Sequence, residues 1–285
     1  MNHSAPESLP EWHHSAKPAW LGSFSELWAY RHLLLRLIRR DFLLNYQQTI
    51  LGPLWVLFQP IATLLTYVLV FSRLVGISTG SISPILFYLA GIILWGLFSE
   101  TFIGNAFILR DNASVFSKVY FPRLITPLAS AGTHFLRFGI QFGIFLLVLV
   151  GFRLAGWHTT TVTVSMLYIF PVVLIVSFLG LSLGLLFSIL TAKYRDLSNL
   201  VHLGVRLLMF LCPVIYPLSI IPPEYKKFIL WNPLTPCLET FRWAILGDGF
   251  FSPTALLYSA TVALLALTGT LLWYNRTSSK LLDVV

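Results

Sequence analysis

The sequence predicts an all-α polytopic membrane fold: six transmembrane helices preceded by an in-plane amphipathic helix, with short accessory helices in two of the loops. Three observations predict it. Of 285 residues, 56% are hydrophobic and 11% charged, and a mean hydropathy of +0.79 leaves too little polar surface to cover a soluble globule. After Asp41 no charged residue occurs until Arg73, so the run from Leu54 onward can cross about 30 Å of hydrocarbon at about 1.5 Å per residue. Further apolar runs of similar length fill the rest of the chain.

The stretch Met1 to Trp20 is polar, with no apolar core, and does not read as a cleavable signal peptide. From Phe24 to Phe42 the apolar residues Phe24, Leu27, Trp28, Leu34, Leu35, Ile38 and Phe42 recur at helical spacing, with Arg36, Arg39 and Arg40 off the stripe. Such a helix fits the plane of the membrane interface. Arg31 lies inside the stripe and either snorkels to phosphate or meets something specific. Gly52 and Pro53 stand where the in-plane helix must bend into the first crossing.

The crossings are expected at Leu54–Phe71, Ile85–Ile103, Leu124–Val150, Val164–Leu190, Val201–Leu218 and Ala255–Tyr274. With the N-terminus inside, twelve basic residues (Lys17, Arg31, Arg36, Arg39, Arg40, Arg110, Lys118, Arg123, Lys193, Arg195, Arg276 and Lys280) fall on the inner side. Five (Arg73, Arg153, Lys226, Lys227 and Arg242) fall outside. Both termini are therefore expected in the cytoplasm. The formal charge of +8 then belongs to inner loops and anionic headgroups, not to nucleic acid binding.

In the loop RDNASVFSKVYFPR, Asp111 or Asn112 can cap a short helix running to about Lys118, which Pro122 stops. Val115, Phe116 and Val119 would make it a knob for a groove on a cytoplasmic partner; a plain connector is the other reading. On the outer side, Pro223 can open a short helix through Trp231, and Pro236 a second one ending at Gly247. Trp231, Phe241 and Trp243 give this segment aromatic weight, either as part of a lid or as an interfacial belt.

Three ionisable residues fall inside crossings: Glu100, Arg137 and Arg206. Each is costly in hydrocarbon and is expected to face a cavity, a partner helix or a headgroup, with Arg137, the deepest, facing a polar path or an acidic substrate group. The pairs Gly180 with Gly184 and Gly139 with Gly143 have the spacing that lets helix backbones approach, within one subunit by preference. Among the aromatics, Trp55, Tyr67, Tyr88 and Trp95 are candidates to line a route for sugars. Cys212 and Cys237 lie in no metal or redox spacing. Two unrelated buried or boundary thiols are expected over a disulfide.

The motifs of chemistry are missing. There is no G-x-x-x-x-G-K-[ST] to cradle nucleotide phosphates, no G-x-S-x-G elbow and no H-E-x-x-H helix. The seven histidines are scattered, so no catalytic residue and no metal site is expected. An ion-coupled carrier would need acidic groups near the midplane, and Glu100, near one end, is a poor candidate. The chain reads as a conduit whose engine is elsewhere.

Four stretches carry a family resemblance: RDFLLNYQQTILGPLWVLFQP at the first crossing, SVFSKVYFPRLITPLAS after the second, YRDLSN after the fourth, and CPVIYPLSIIPPEY followed by LWNPLTP after the fifth. Together with the tail TSSKLLDVV, they resemble the membrane (permease) subunit of type 2 ABC exporters for polysaccharides, the group that includes O-antigen, capsule and teichoic-acid permeases. The resemblance implies an amphipathic interface helix (24–45) and a six-span ABC-2 type transmembrane domain (46–285); the polar extension (1–23) has no reading from this pattern. It also implies a homodimer in the bacterial cytoplasmic (inner) membrane, bound to a separate cytoplasmic ATPase that holds ATP and Mg, with no cofactor in this chain.

By the same resemblance, Asn112 to Lys118 looks like the coupling helix, with Val115, Phe116 and Val119 meeting the ATPase. The segments Pro223–Trp231 and Pro236–Leu246 look like gate helices. The cargo would be a glycan on a polyprenyl pyrophosphate or similar lipid, with Arg31, Arg36, Arg39 and Arg40 placed to meet either its pyrophosphate or ordinary anionic membrane lipid. Two other readings are an ABC-2 exporter of a different amphiphile, such as a drug or lipid, and an integral-membrane enzyme acting on lipid-linked sugars.

Overall fold

The computed structural model describes residues 24–113, 121–156, 164–194 and 196–281. The extension 1–23 and the candidate coupling residues Val115, Phe116, Lys118 and Val119 lie outside the described residues. All regular elements among the described residues are helical.

The chain enters through α1 (Phe24–Ala29) and α2 (Arg31–Leu44). It then turns at Gln48, with φ 59°, and at Gly52, with φ 52°. These left-handed conformations reverse the path, and glycine adopts one without steric cost. Pro53, which needs no N–H partner at a helix start, opens the tight turn Gly52–Leu54 leading into α3 (Trp55–Tyr67). The rod continues through a wider turn, Val68–Leu74, where Val75 N–H reaches back five residues to Val70 O at 2.9 Å.

There follow α4 (Pro84–Ala106) and α5 (Ile108–Asp111), then α6 (Ile125–Leu154) and α7 (Ile169–Lys193). The chain closes with α8 (Leu197–Phe210), α9 (Pro223–Leu230), α10 (Leu234–Leu246) and α11 (Pro253–Leu281).

Five of these helical stretches are long and apolar enough to cross a membrane: Gly52–Leu74, Pro84–Ala106, Ile125–Leu154, Val164–Lys193 and Pro253–Thr277. The run expected as a crossing at Val201–Leu218 is not one continuous helix. Helix α8 holds 14 residues, about 21 Å at 1.5 Å per residue, and ends at Phe210 because Pro213 carries no N–H and disfavours helical backbone at Cys212. Leu211 and Cys212 tighten onto Leu208 O and Met209 O. The chain then runs on through the irregular segment 211–220, with Val214 O against Gly91 and Leu218 in one cavity wall with Thr79 and Ile82, before α9 and α10. Hydropathy alone could not show this break, because Cys212, Val214, Ile215 and Leu218 are as apolar and as buried as a spanning helix would be.

Helices α4 and α7 form the centre. Both are apolar on every side and mostly buried, whereas α3, α6 and α11 bury only a minor share of their surface and leave broad apolar faces outward, as helices facing lipid or another chain do. Gly180 and Gly184 set the α4–α7 distance. A Cβ at Gly184 would stand 2.5 Å from Asn105 Cβ, and one at Gly180 would stand 2.9 Å from Phe98 O. Gly139 and Gly143 behave differently: open space surrounds each, so this pair packs no helix within the chain. Cys212 and Cys237 are both free and buried.

Candidate functional site

An apolar bundle can hold polar side chains only where they satisfy one another, so clusters of them mark positions the fold has fixed. Helix α6 carries His134, Arg137 and Gln141, spaced three and four residues apart and therefore on one face. Arg137 Nη1 lies 2.9 Å from Glu100 Oε2 of α4, and His134 Nδ1 lies 3.4 Å from the same oxygen. The Arg137 guanidinium stands 5.7 Å from the ring centroid of Tyr46, at the bend after α2. Gly104 allows the approach, since a Cβ there would meet His134 Nε2 at 2.5 Å.

Gln141 Nε2 donates to Val56 O at 3.1 Å. Pro60 explains that bond: it sits inside α3 and lacks the N–H that would otherwise donate to the carbonyl four residues earlier, Val56. One face of α6 thus stitches the bend, the first crossing and α4 together. Glu100 and Arg137, separate ionisable residues in the sequence, are partners in the fold. Arg206 stands apart from them, exposed on α8.

A second polar cluster lies at the opposite end. Arg242 is 1% exposed and makes five kinds of contact. It pairs with Glu239 at 3.2 Å, donates to Pro213 O, donates to Val214 O at 2.9 Å, and lies 3.7 Å above the Phe87 ring. It also approaches Gly91, where a Cβ would meet Nη2 at 2.7 Å. Glu239 Oε2 accepts in turn from Phe250 N–H at 3.1 Å. The pair therefore ties α10 to the segment after α8, to α4 and to the loop before α11.

Beside the pair is a cavity of about 270 Å³ lined by Thr79, Phe87, Ser219, Lys226, Asp248 and Phe250 among others. In the sequence Arg242 counted only as an outer positive charge. The signal that could have found the pair is its i, i+3 spacing with Glu239 inside an otherwise apolar helix.

The basic helix is open. Arg31, Arg36, Arg39 and Arg40 are all exposed. Arg31 Nη1 donates to Trp28 O at 3.1 Å and lies 5.3 Å over the Trp28 ring, while Arg40 is paired with Asp41 at 2.8 Å. Helix α2 rests on α6 through Ile38, whose Cδ1 would stand 2.6 Å from a Cβ at Gly132. Trp28 and Leu35, of the same apolar stripe, are exposed, as residues facing a membrane interface would be.

The remaining candidates divide by burial. Tyr88 and Trp95 are core residues, 0% and 9% exposed, so within this chain they border no open route; Trp55 is exposed and Tyr67 half-buried, its hydroxyl 3.3 Å from Met209 Sδ. Trp231 is 77% exposed and Phe241 1%. Trp243 stacks on Phe251 with ring centroids 4.0 Å apart, and Tyr168 stands edge-on to both. Asn112 turns its side chain back to Ile108 O at 3.0 Å, closing α5. Among the described residues no three His, Cys, Asp or Glu side chains come together as a metal site would require.

Comparison with known sequences adds an independent line. The family described as ABC-2 type transporter matches residues 32–246. The chain is 28% identical to the O-antigen export system permease protein RfbA of Myxococcus xanthus over 76% of this chain and 81% of that protein. It is 26% identical to the protein of the same name from Klebsiella pneumoniae, over 74% and 78%. It is 24% identical to the polysialic acid transport protein KpsM of Escherichia coli, over 86% and 93%.

Proposed function

The chain belongs to the ABC-2 type transporter family, and from that premise we propose that it is the transmembrane subunit of an ATP-driven exporter that moves a lipid-linked polysaccharide, of the O-antigen, capsule or teichoic-acid type, out across the bacterial cytoplasmic membrane. The observation that carries the cargo class is the agreement of relatives from three organisms, which cover most of the chain and are named for O-antigen export or polysialic acid transport. The sequence has no nucleotide-cradling loop. ATP and Mg therefore belong to a separate cytoplasmic ABC ATPase, and this chain acts as a homodimeric transport subunit without catalytic residues of its own.

In this reading both termini face the cytoplasm, and α8 together with the irregular segment 211–220 completes a sixth crossing. Helices α1 and α2 lie in the inner interface. Their exposed arginines can receive a pyrophosphate in the forked geometry that guanidinium offers to phosphate oxygens. The segment from Asn112 to Lys118 docks on the ATPase, and α9 and α10 serve as the gate on the far side. Trp55 and Tyr67, which keep surface outside the core, are the aromatics left to line a passage. Glu100 and Arg137 hold the wall of the bundle, where their charges cancel.

Two measurements test this. The chain is co-expressed with an ABC ATPase subunit from the same organism, and sealed vesicles are charged with polyprenyl-pyrophosphate-linked glycan from the same cells. Translocation is expected only with ATP and the ATPase present; transport by the chain alone would overturn the proposal. Replacing Val115, Phe116 and Val119 together by Asp is expected to abolish ATPase co-purification while the chain still inserts. Unchanged co-purification would remove that segment as the docking element.

A further inference from the structure

Helix α8 is held unlike its neighbours. Along its length only Val201 and Val205 are buried; Leu200, Leu203, Leu207 and Phe210 are exposed. Its fixed points are at its ends. At the start, Arg110 Nη1 of α5 donates to Ser198 Oγ at 3.1 Å. The Phe107 ring, under the Arg110 guanidinium at 4.9 Å, lies 5.5 Å from the imidazole of His202. At the far end, the Tyr216 hydroxyl donates to Phe210 O at 2.8 Å and Asn232 Nδ2 meets Cys212 Sγ at 3.1 Å. Just beyond, Arg242 holds the carbonyls of Pro213 and Val214.

A helix with few side contacts inside its own chain and clamped at both ends can transmit displacement along its axis through its hydrogen-bonded backbone. We propose that α8 is the connecting rod of the transporter, and that Arg110 and Ser198, supported by the Phe107–His202 ring contact, pass movement of the α5 turn to α10 through the buried Arg242 clamp. The inference rests on the exporter reading, in which the residues following α5 dock on the ATPase. It assigns a transmitting role to residues outside the segment that docks on the ATPase.

The test uses the full permease–ATPase complex in vesicles charged with the glycan described above, read as glycan exported per ATP hydrolysed. Arg110→Asp and Ser198→Arg each break the bond; combined, they replace it by an ion pair between the same two positions. Each single variant is expected to lower the coupling ratio about five-fold, an ordinary coupling energy between linked sites, and the double variant to recover most of it. ATPase co-purification and thermal midpoint should stay at wild-type values, because the pair is exposed and contributes little to stability.

A coupling ratio unchanged in the single variants, or lost in the double variant as fully as in the singles, overturns the proposal. Loss of ATPase binding in Arg110→Asp also overturns it, by placing that side chain in the docking surface. Absence of ATP-driven export by the wild-type complex refutes the exporter reading instead.

Discussion

Arg137 and Glu100 meet 2.9 Å apart between α6 and α4, with side chains 16% and 25% exposed. Removing one partner of such a pair strands the other charge, whereas removing both leaves only a packing change. Arg137→Leu is therefore expected to cost about 3 kcal/mol of stability, and Glu100→Leu a similar amount. The double variant should cost clearly less than the sum. Thermal unfolding of the purified chain in detergent checks this; strict additivity would show that the two charges do not depend on each other. Gln141 gives a smaller case. Its bond to the carbonyl freed by Pro60 is worth about 1 kcal/mol, so Gln141→Leu should destabilise by that amount. The same substitution combined with Pro60→Ala should not, because an N–H restored at position 60 can serve Val56 O. The sequence showed that Glu100 and Arg137 were expensive but not that they were partners, since the adjacency of α4 and α6 is a property of packing. The Arg242–Glu239 pair was legible only as a local spacing; the Pro213 and Val214 carbonyls it satisfies lie 28 residues or more away.

Two glycine pairs of identical spacing have opposite surroundings. Gly180 and Gly184 lie against the α4 backbone, while Gly139 and Gly143 touch nothing within 4 Å. Gly184→Leu must push α7 off α4 and is expected to cost at least about 1–3 kcal/mol, the usual penalty of overpacking. Gly139→Ala should be neutral or slightly stabilising in the isolated chain through helix propensity. If Gly139→Ala leaves stability in detergent intact yet lowers the mass of the assembled complex, that face is covered by a second copy. A loss of stability in the monomer would contradict the open surroundings of Gly139. Most helix positions were readable because apolar runs and Pro or Gly punctuation are local features. The end of α8 was not: Pro213 marked a break, but equal apolarity on both sides of it concealed where the helix stops.

At the scale of the whole molecule, two mostly buried helices form a core, three partly buried ones surround it, and polar stitches close each end. The outward apolar surface remains large. Trp28, Leu51, Leu54, Phe58, Leu65 and Leu203 are all exposed, more apolar surface than a monomer keeps in water. Replacing Arg31, Arg36 and Arg39 together by Gln should leave insertion intact, since all three are exposed, and abolish both export and glycan-stimulated ATP hydrolysis. Unaltered export in that variant would show that these arginines bind only bulk lipid. By itself the sequence determined that the chain lives in a bilayer, where its crossings begin, that it carries no nucleotide-cradling loop, and which family its motifs resemble, because hydropathy, proline and glycine signals and short motifs are written in consecutive residues. Only the tertiary structure decided which charges neutralise each other, which glycines are contacts, and that the fifth apolar run is broken after Phe210. Those depend on which helices lie side by side, and that is settled by packing between residues far apart in the chain.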